Sequence, residues 1–378
     1  MERRVPFMSL VPGPDAADVR AAIERVVARG WFILGPEVEA FEAEFARACG
    51  AAHAVGVGTG TDAIALALRA LGVGAGDEVI TSPLSAAYSA LAIMMTGARP
   101  VFADIDSDRL TIDPAAIERA IGPRTRAILP VHLYGQAAAM DTIAAIATRH
   151  KLLVVEDCCQ AHLATANGRP VGTIGAAGAF SFYPTKNLGA LGDGGAIITN
   201  DADVAVRLKR LRNGGQTDRY HHQEPGINSR LDEMQAAILR ARLPRLPDWT
   251  RRRRELAARY RRALGRAQIP GLIVPPECDS GHVYHVFVVR SAARPVLQAH
   301  LAAHGIETLI HYPVSIARQP ALASTSPADC PIASRVCDEV LSLPLHPGLR
   351  DEDVDLVTAA LSAGIAVTGS KGHDACVH

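Results

Sequence analysis

The feature that most restricts what this chain can fold into is a regular alternation of short apolar runs with longer helix-patterned stretches. Strand-like runs at 54–57, 78–81, 100–103, 126–131 and 152–156 are separated by helix-like segments at 61–71, 85–96, 113–120 and 137–150. Strands with few polar residues, each followed by a helix, predict an α/β fold with a mostly parallel central sheet covered by helices on both faces. Two amphipathic helices, 15–29 and 36–49, precede the series. Two further strands, 179–183 and 196–199, flank a glycine-rich loop.

Beyond that loop the reading is a helix at 203–211, an irregular polar segment at 213–228, and helices at 231–243 and 251–264. The pattern then changes to a strand at 284–290, a helix at 295–304, a strand at 307–310 and a closing helix at 351–361, as in a smaller α+β unit. The expected boundary lies in the proline-bearing stretch 244–249. This gives a large domain over 1–245 and a small one over 246–378, with the tail after about 365 expected to fray. Lysine plus arginine and aspartate plus glutamate both number 39, so no bulk charge favours nucleic acid or a membrane surface. Seven cysteines without a CxxC spacing do not form a disulfide framework, and no apolar run reaches membrane-spanning length. A cytoplasmic setting is expected.

Three features fall at the carboxyl ends of predicted strands, where open α/β sheets bind ligands. The glycine-rich turn 56–63 leads into a helix, and backbone amides at a helix N-terminus suit a phosphate. It also satisfies the dinucleotide fingerprint GxGxxA. That reading wants an acid at the far end of the next strand, whereas Asp77 and Glu78 fall at its beginning. Asp157 ends an apolar strand, where a carboxylate is costly unless it meets a cation or donor. Lys186 sits in the loop between the last two strands, in a chain with only three other lysines, Lys151, Lys209 and Lys371. Pyridoxal phosphate needs a phosphate cradle, an amine for its aldehyde and a carboxylate for its ring nitrogen. Gly60, Thr61 and Asp62, then Lys186, then Asp157 would supply them. The pairs His221–His222 and His282/His285 lack cysteine or carboxylate partners at ligand spacing, and no metal is expected.

The chain resembles the DegT/DnrJ/EryC1/StrS aminotransferases, fold type I enzymes, from about residue 30 to residue 361. The motifs are GTGTDA (58–63), PVFADID (100–106), PVHLYGQ (130–136), VEDCCQAH (155–162), FSFYPTKNLGALGDGGAIITN (180–200), NSRLDEMQAAILR (228–240) and LSLPLHP (341–347). The resemblance implies that Lys186 is the Schiff-base lysine, that Asp157 pairs with the ring nitrogen, and that Gln160 contacts the ring near its phenolic oxygen. It places Thr61, Asp62 and Ser181 in the phosphate cradle. It also implies that Asn228 reaches the phosphate from the other subunit, hence a homodimer with shared sites. The implied reaction is amination of a nucleotide-linked keto-sugar with L-glutamate as donor. An aminocyclitol aminotransferase and a non-catalytic regulator are the alternatives, and a dehydratase of this lineage would lack Lys186. The chain departs from the family pattern at Ser85 and Ala86, where an aromatic residue usually stacks on the ring, with Tyr88 as a substitute. It departs again at Gly214 and Ala317, where His is usual. His311 is expected to contact substrate.

Overall fold

In a computed structural model the protein is described over residues 4–322 and 329–370, with side chains to residue 364. Helices α1 (Ala16–Arg29) and α2 (Pro36–Cys49) lead into β1 (His53–Val57), α3 (Gly60–Ala70), β2 (Glu78–Thr81), α4 (Tyr88–Met95), β3 (Arg99–Phe102), α5 (Pro114–Ala120), β4 (Thr125–Leu129), α6 (Met140–His150) and β5 (Leu153–Asp157). A small hairpin, β6 (Thr165–Ala166) with β7 (Arg169–Pro170), precedes β8 (Ala177–Ser181) and β9 (Gly195–Thr199). The seven-stranded sheet has the order β1-β9-β8-β5-β4-β2-β3. The pairs from β8 through β3 are parallel, and β9 runs antiparallel between β1 and β8. The expected α/β class holds. The antiparallel strand follows from the connection, because β8 and β9 are joined by a loop without a crossover helix.

Both faces of the sheet are buried, which is why its strands read as continuous apolar runs. Phe180 of β8 and Phe182 just beyond it face one layer while Ala177 and Ala179 face the other. Phe45 of α2 meets Phe180 edge-on at 5.1 Å and Phe182 at 5.3 Å. The opposite layer is filled by the Ala- and Leu-rich α3. Helix α2 is fixed by a distant acid: Glu233, fully buried, accepts from the amides of Gly35 (2.9 Å), Glu37 (2.9 Å) and Val38 (2.8 Å). A carboxylate at this end complements the helix dipole and meets donors that have no partner within the helix.

After α7 (Ala202–Leu211), the expected irregular segment contains a hairpin, β10 (Gln216–Asp218) with β11 (His221–His222). Helix α8 (Glu233–Arg242) begins two residues later than expected, because Asp232 caps it by accepting from Gln235 N at 2.8 Å. The proline-bearing stretch is no loop: α9 runs unbroken over Leu246–Ala267, with Pro247 in its first turn, where a missing N–H costs nothing. Its first residue, Leu246, packs in the sheet core, while Leu256, Tyr260 and Leu264 pack in a second core. That core surrounds β12 (Phe287–Arg290), α10 (Arg294–Ala303), β13 (Val340–Leu343) and α12 (Asp351–Ser370), with β12 and β13 antiparallel. Val5 belongs to it too, and donates to Gly305 O at 2.9 Å.

Two expectations here need correction. Residues 307–310 form no strand, because Val5 bridges Ile306, with Glu307 N donating to Val5 O, and Leu309 bridges Ser342, one rung to each partner. A helix the sequence reading omitted, α11 (Pro331–Glu339), is capped from afar: Asp104 accepts from Ile332 N and Ala333 N, both at 2.9 Å. Of the expected fraying tail, α12 continues to Ser370 and residues 371–378 lie outside the described residues. Among the described residues no helix is long and apolar enough to cross a membrane.

Glu233→Ala leaves buried amides without an acceptor and is expected to lower stability by about 3 kcal/mol. Glu233→Gln, which keeps one acceptor oxygen, is expected to lose less. Chemical unfolding midpoints of the two variants check this.

Candidate active site

Strands β1, β5 and β8 point the same way, so their carboxyl ends share one edge of the sheet. From β1 the chain turns through Gly58 and Thr59 into α3. Thr59 caps the helix by accepting from Asp62 N at 3.0 Å. Gly60 and Thr61 supply the first two N–H groups of α3, which have no partner within the helix. A Cβ at Gly60 would lie 2.6 Å from Ser181 Cβ and 2.9 Å from Cys159 Sγ. Only glycine lets the helix mouth come that close to the end of β8. Asp62 turns its carboxylate aside: Oδ2 accepts from Ser229 Oγ at 2.7 Å, and that oxygen in turn accepts from Gly58 N at 2.9 Å. The carboxylate thus braces the turn, and the Asp62 amide is spent on Thr59.

Asp157, 4% exposed at the end of β5, accepts from Ser89 Oγ at 2.7 Å and from Cys159 N at 3.1 Å. Ser89 lies on α4 and was missed in sequence. Ser85, in the turn before α4, has its hydroxyl 3.5 Å from that of Ser89. Gln160 is locked from two sides. Its Oε1 accepts from Tyr134 N at 2.8 Å and its Nε2 donates to Tyr312 Oη at 3.0 Å. Tyr134 also donates its hydroxyl to His311 O, joining the sheet edge to the second core.

Lys186 follows β8, its backbone turned by an N–H bond to Tyr183 O at 2.8 Å. Burial lowers its pKa, and nearby Cys159 and Asp157 oppose the shift. Burial and the Lys186 charge push His162 down to about 3, so its ring is neutral. Its Nε2 lies 2.9 Å from Ser181 O, an acceptor only, so Nε2 carries the hydrogen, and the buried Nδ1 has no partner among the described residues. His162 therefore holds the end of β8. A cavity of about 810 Å³ reaches Thr185 and is lined also by Phe7, Met8, Gln298, His285 and His311. His311 Nδ1 lies 2.8 Å from Ser342 Oγ, and burial followed by Lys186 brings its pKa to about 4.

The structure thus brings Gly60, Ser181, Asp157 and Lys186 to one edge, with Gln160 and His311 reached through Tyr312 and Tyr134. Thr61 stands beside them in the first turn of α3. Asn228 is exposed and pairs with Asn213 in an isolated bridge, next to the Ser229 that bonds Asp62. Tyr88 is 63% exposed at the first residue of α4 and is not part of the cavity wall. Of the histidine pairs, His285 lines that cavity, while the others are engaged elsewhere. His222 Nδ1 bonds Gly214 O at 2.7 Å, and His282 Nδ1 accepts from Tyr284 N at 3.0 Å. A buried trio, His132, Glu156 and Cys158, has metal-ligand chemistry, but the lone pairs of Glu156 and His132 are already taken. Glu156 accepts from Gly172, Ile174 and Gly175 amides at 2.7–2.8 Å and from His132 Nε2 at 2.9 Å, while His132 Nδ1 accepts from Ala138 N at 3.1 Å.

Ser89→Ala removes a donor from a buried carboxylate and is expected to cost about 2 kcal/mol, with Ser89→Thr retaining most of it. Unfolding midpoints distinguish the two. The buried histidines also set a pH dependence. His162 and His282 titrate at about 3 and His311 at about 4 in the folded chain, against 6.5 ordinarily. Below 6.5 the unfolded chain binds protons that the folded chain refuses. Stability is therefore full above that value and falls as pH drops toward 4 and then 3. His162→Gln, whose amide can donate to Ser181 O, is expected to flatten the fall in unfolding midpoint with pH.

Residues 15–362 match the model of the DegT/DnrJ/EryC1/StrS aminotransferase family. The chain is 50% identical over 352 residues to the dTDP-3-amino-3,4,6-trideoxy-alpha-D-glucose transaminase of Streptomyces venezuelae, covering 92% of each chain. It is 48% identical to the erythromycin biosynthesis sensory transduction protein EryC1 of Saccharopolyspora erythraea, covering 95% of this chain and 99% of the relative. The crystal structure of S. venezuelae DesV in complex with a ketimine intermediate superposes with a TM-score of 0.92 at 48% identity, over 96% of this chain and 98% of that one. With its fold and nearly its whole length in agreement, this chain belongs to the DegT/DnrJ/EryC1/StrS aminotransferase family.

Proposed function

We propose that this protein is a pyridoxal-phosphate-dependent aminotransferase that converts a nucleotide-linked keto-sugar to an amino sugar. The observation that carries the reading is the convergence at the sheet edge. The close approach of Gly60 to Ser181 sets a glycine-lined helix mouth beside a buried carboxylate, Asp157, and an amine of lowered pKa, Lys186. These residues fit the cofactor: a helix N-terminus for its phosphate, a carboxylate for its ring nitrogen and an amine for its aldehyde. The substrate class rests on the named activity of the S. venezuelae transaminase. L-glutamate as donor rests on family resemblance.

Gly60 and Thr61 would bind the phosphate through their amides, with the Ser181 hydroxyl beside them. Pyridoxal phosphate, when bound, supplies an electrophilic carbon and a ring that delocalises an electron pair. Asp157 would keep a proton on the ring nitrogen, with its carboxylate oriented by Ser89 and Cys159 N. Gln160, fixed by Tyr134 and Tyr312, would present its amide near the phenolic oxygen. Lys186 would hold the cofactor through its amine, and that amine, when free, would take the proton from the donor's Cα. A lysine held below its usual pKa has the free amine this task needs. His311, on the wall of the cavity that reaches Thr185, would meet the substrate. The exposed Asn228 would complete the phosphate site of the other subunit in a homodimer.

The similarity to a protein named for sensory transduction favours one rival reading, a regulator without catalysis. One experiment separates the two. The purified protein is expected to show a visible absorbance band with pyridoxal phosphate that disappears in Lys186→Ala, with turnover reduced on the order of 10³-fold. The pyridoxamine form, mixed with a panel of nucleotide keto-sugars and cyclitol ketones, is expected to regain the band with a nucleotide sugar. A protein that stays colourless with added cofactor sinks the enzyme reading, and a response to cyclitols alone sinks the substrate assignment.

A further inference from the structure

The Lys186 loop is held from its far side by a contact that the proposed reaction does not use. Asn187, the next residue, is 4% exposed, and its amide spans two groups of the segment 283–285. Nδ2 donates to Val283 O at 3.2 Å, and Oδ1 lies 3.2 Å from His285 Nδ1. A backbone carbonyl only accepts, which settles which end of the amide faces Val283. The end facing His285 is then the oxygen, so Nδ1 carries the hydrogen and Nε2 the lone pair. The segment is itself anchored. Val283 N donates to Gly135 O at 2.9 Å and His285 N to Tyr134 O at 2.8 Å. The buried Arg253 guanidinium donates to Tyr284 O at 3.2 Å and to His285 O at 3.1 Å. Asn187 therefore hangs from a frame tied to both cores.

We propose that Asn187 and His285 form a positioning pair that clamps the Lys186 loop onto segment 283–285 and keeps water from the lysine amine. The inference rests on the reading of Lys186 as the cofactor-bearing residue. Neither residue is placed on the reacting atoms; both act through the loop. His285 is 5% exposed and lines the same cavity as Thr185, so the pair stands between that cavity and the Lys186 loop it holds. Around Lys186, burial is the main force lowering its pKa, and Cys159 and Asp157 act against it. Around His285, burial comes first, followed by Lys186, Arg253, His311 and His162, and all of them disfavour a charged ring. A neutral imidazole can give its Nδ1–H to Asn187 without setting a second cation beside the amine. Loosening the clamp admits water, and the lysine nitrogen then regains protons at higher pH.

The test reads the pH midpoint of the rate at which cofactor-free protein develops its visible band on adding pyridoxal phosphate, because only the unprotonated Lys186 amine condenses with the aldehyde. Asn187→Ala and His285→Leu are each expected to raise the midpoint by about one unit. The double variant is expected to shift no further than the larger single change, as coupled partners do. His285→Asn, whose amide can still donate to Asn187 Oδ1, is expected to stay near the wild-type midpoint. A merely structural role would lower unfolding midpoints and leave the titration in place. Wild-type midpoints in both Asn187→Ala and His285→Leu overturn the proposal, and so does a His285→Asn shift as large as that of His285→Leu. If one of these variants fails to fold, the other carries the same comparison. A wild-type protein with no band at all instead counts against the role of Lys186, so the two failures are distinguishable.

Discussion

A carboxylate held in the dry end of the middle strand is the constraint around which the site is built. Asp157 is 4% exposed, and a charge so placed costs several kcal/mol unless donors or a cation meet it. Ser89 and the Cys159 amide meet two of its lone pairs. Its field then reaches Lys186, where it favours the ammonium while burial favours the amine, and burial prevails. One strand end thus supplies both a fixed anion and the conditions for a reactive lysine.

The sheet turns that local balance into a site. Parallel strands deliver the helix mouth after β1, the acid of β5 and the lysine loop after β8 to one edge, and β9 fits between β1 and β8 only because its first residue is glycine. A Cβ at Gly195 would lie 2.4 Å from Thr59 O. The second core then closes on that edge through Tyr312, His311 and segment 283–285. Each of these is tied by hydrogen bonds to Gln160, Tyr134 or Asn187. Positions in the two units are therefore coupled through polar contacts at the site itself, in addition to the continuous helix α9.

Other buried charges follow the same rule, each answered by groups distant in sequence. Glu233 caps a helix 195 residues or more away, and Glu156 meets three amides and an imidazole. Arg212 bridges Glu42 and the Gly56 carbonyl. The last of these holds the end of β1 just before the turn into α3, where a phosphate cradle needs support.

The sequence by itself determined the α/β alternation, the strand-end placement of Asp157, the glycine turn and the lysine loop. All of these are matters of local period and spacing along one dimension. The roles of Gln160 and Ser181 came from resemblance. Only tertiary structure decided that Asp62 braces Ser229, that Ser89 and His162 orient the strand ends, that Tyr88 stands in solvent, and that Asn187 grips His285. It also decided that 307–310 divides its pairing between Val5 and Ser342, and that Asp104 starts a helix 228 residues on. A hydrogen bond depends on where two groups lie in space, and neither hydropathy nor period carries that distance when tens or hundreds of residues intervene.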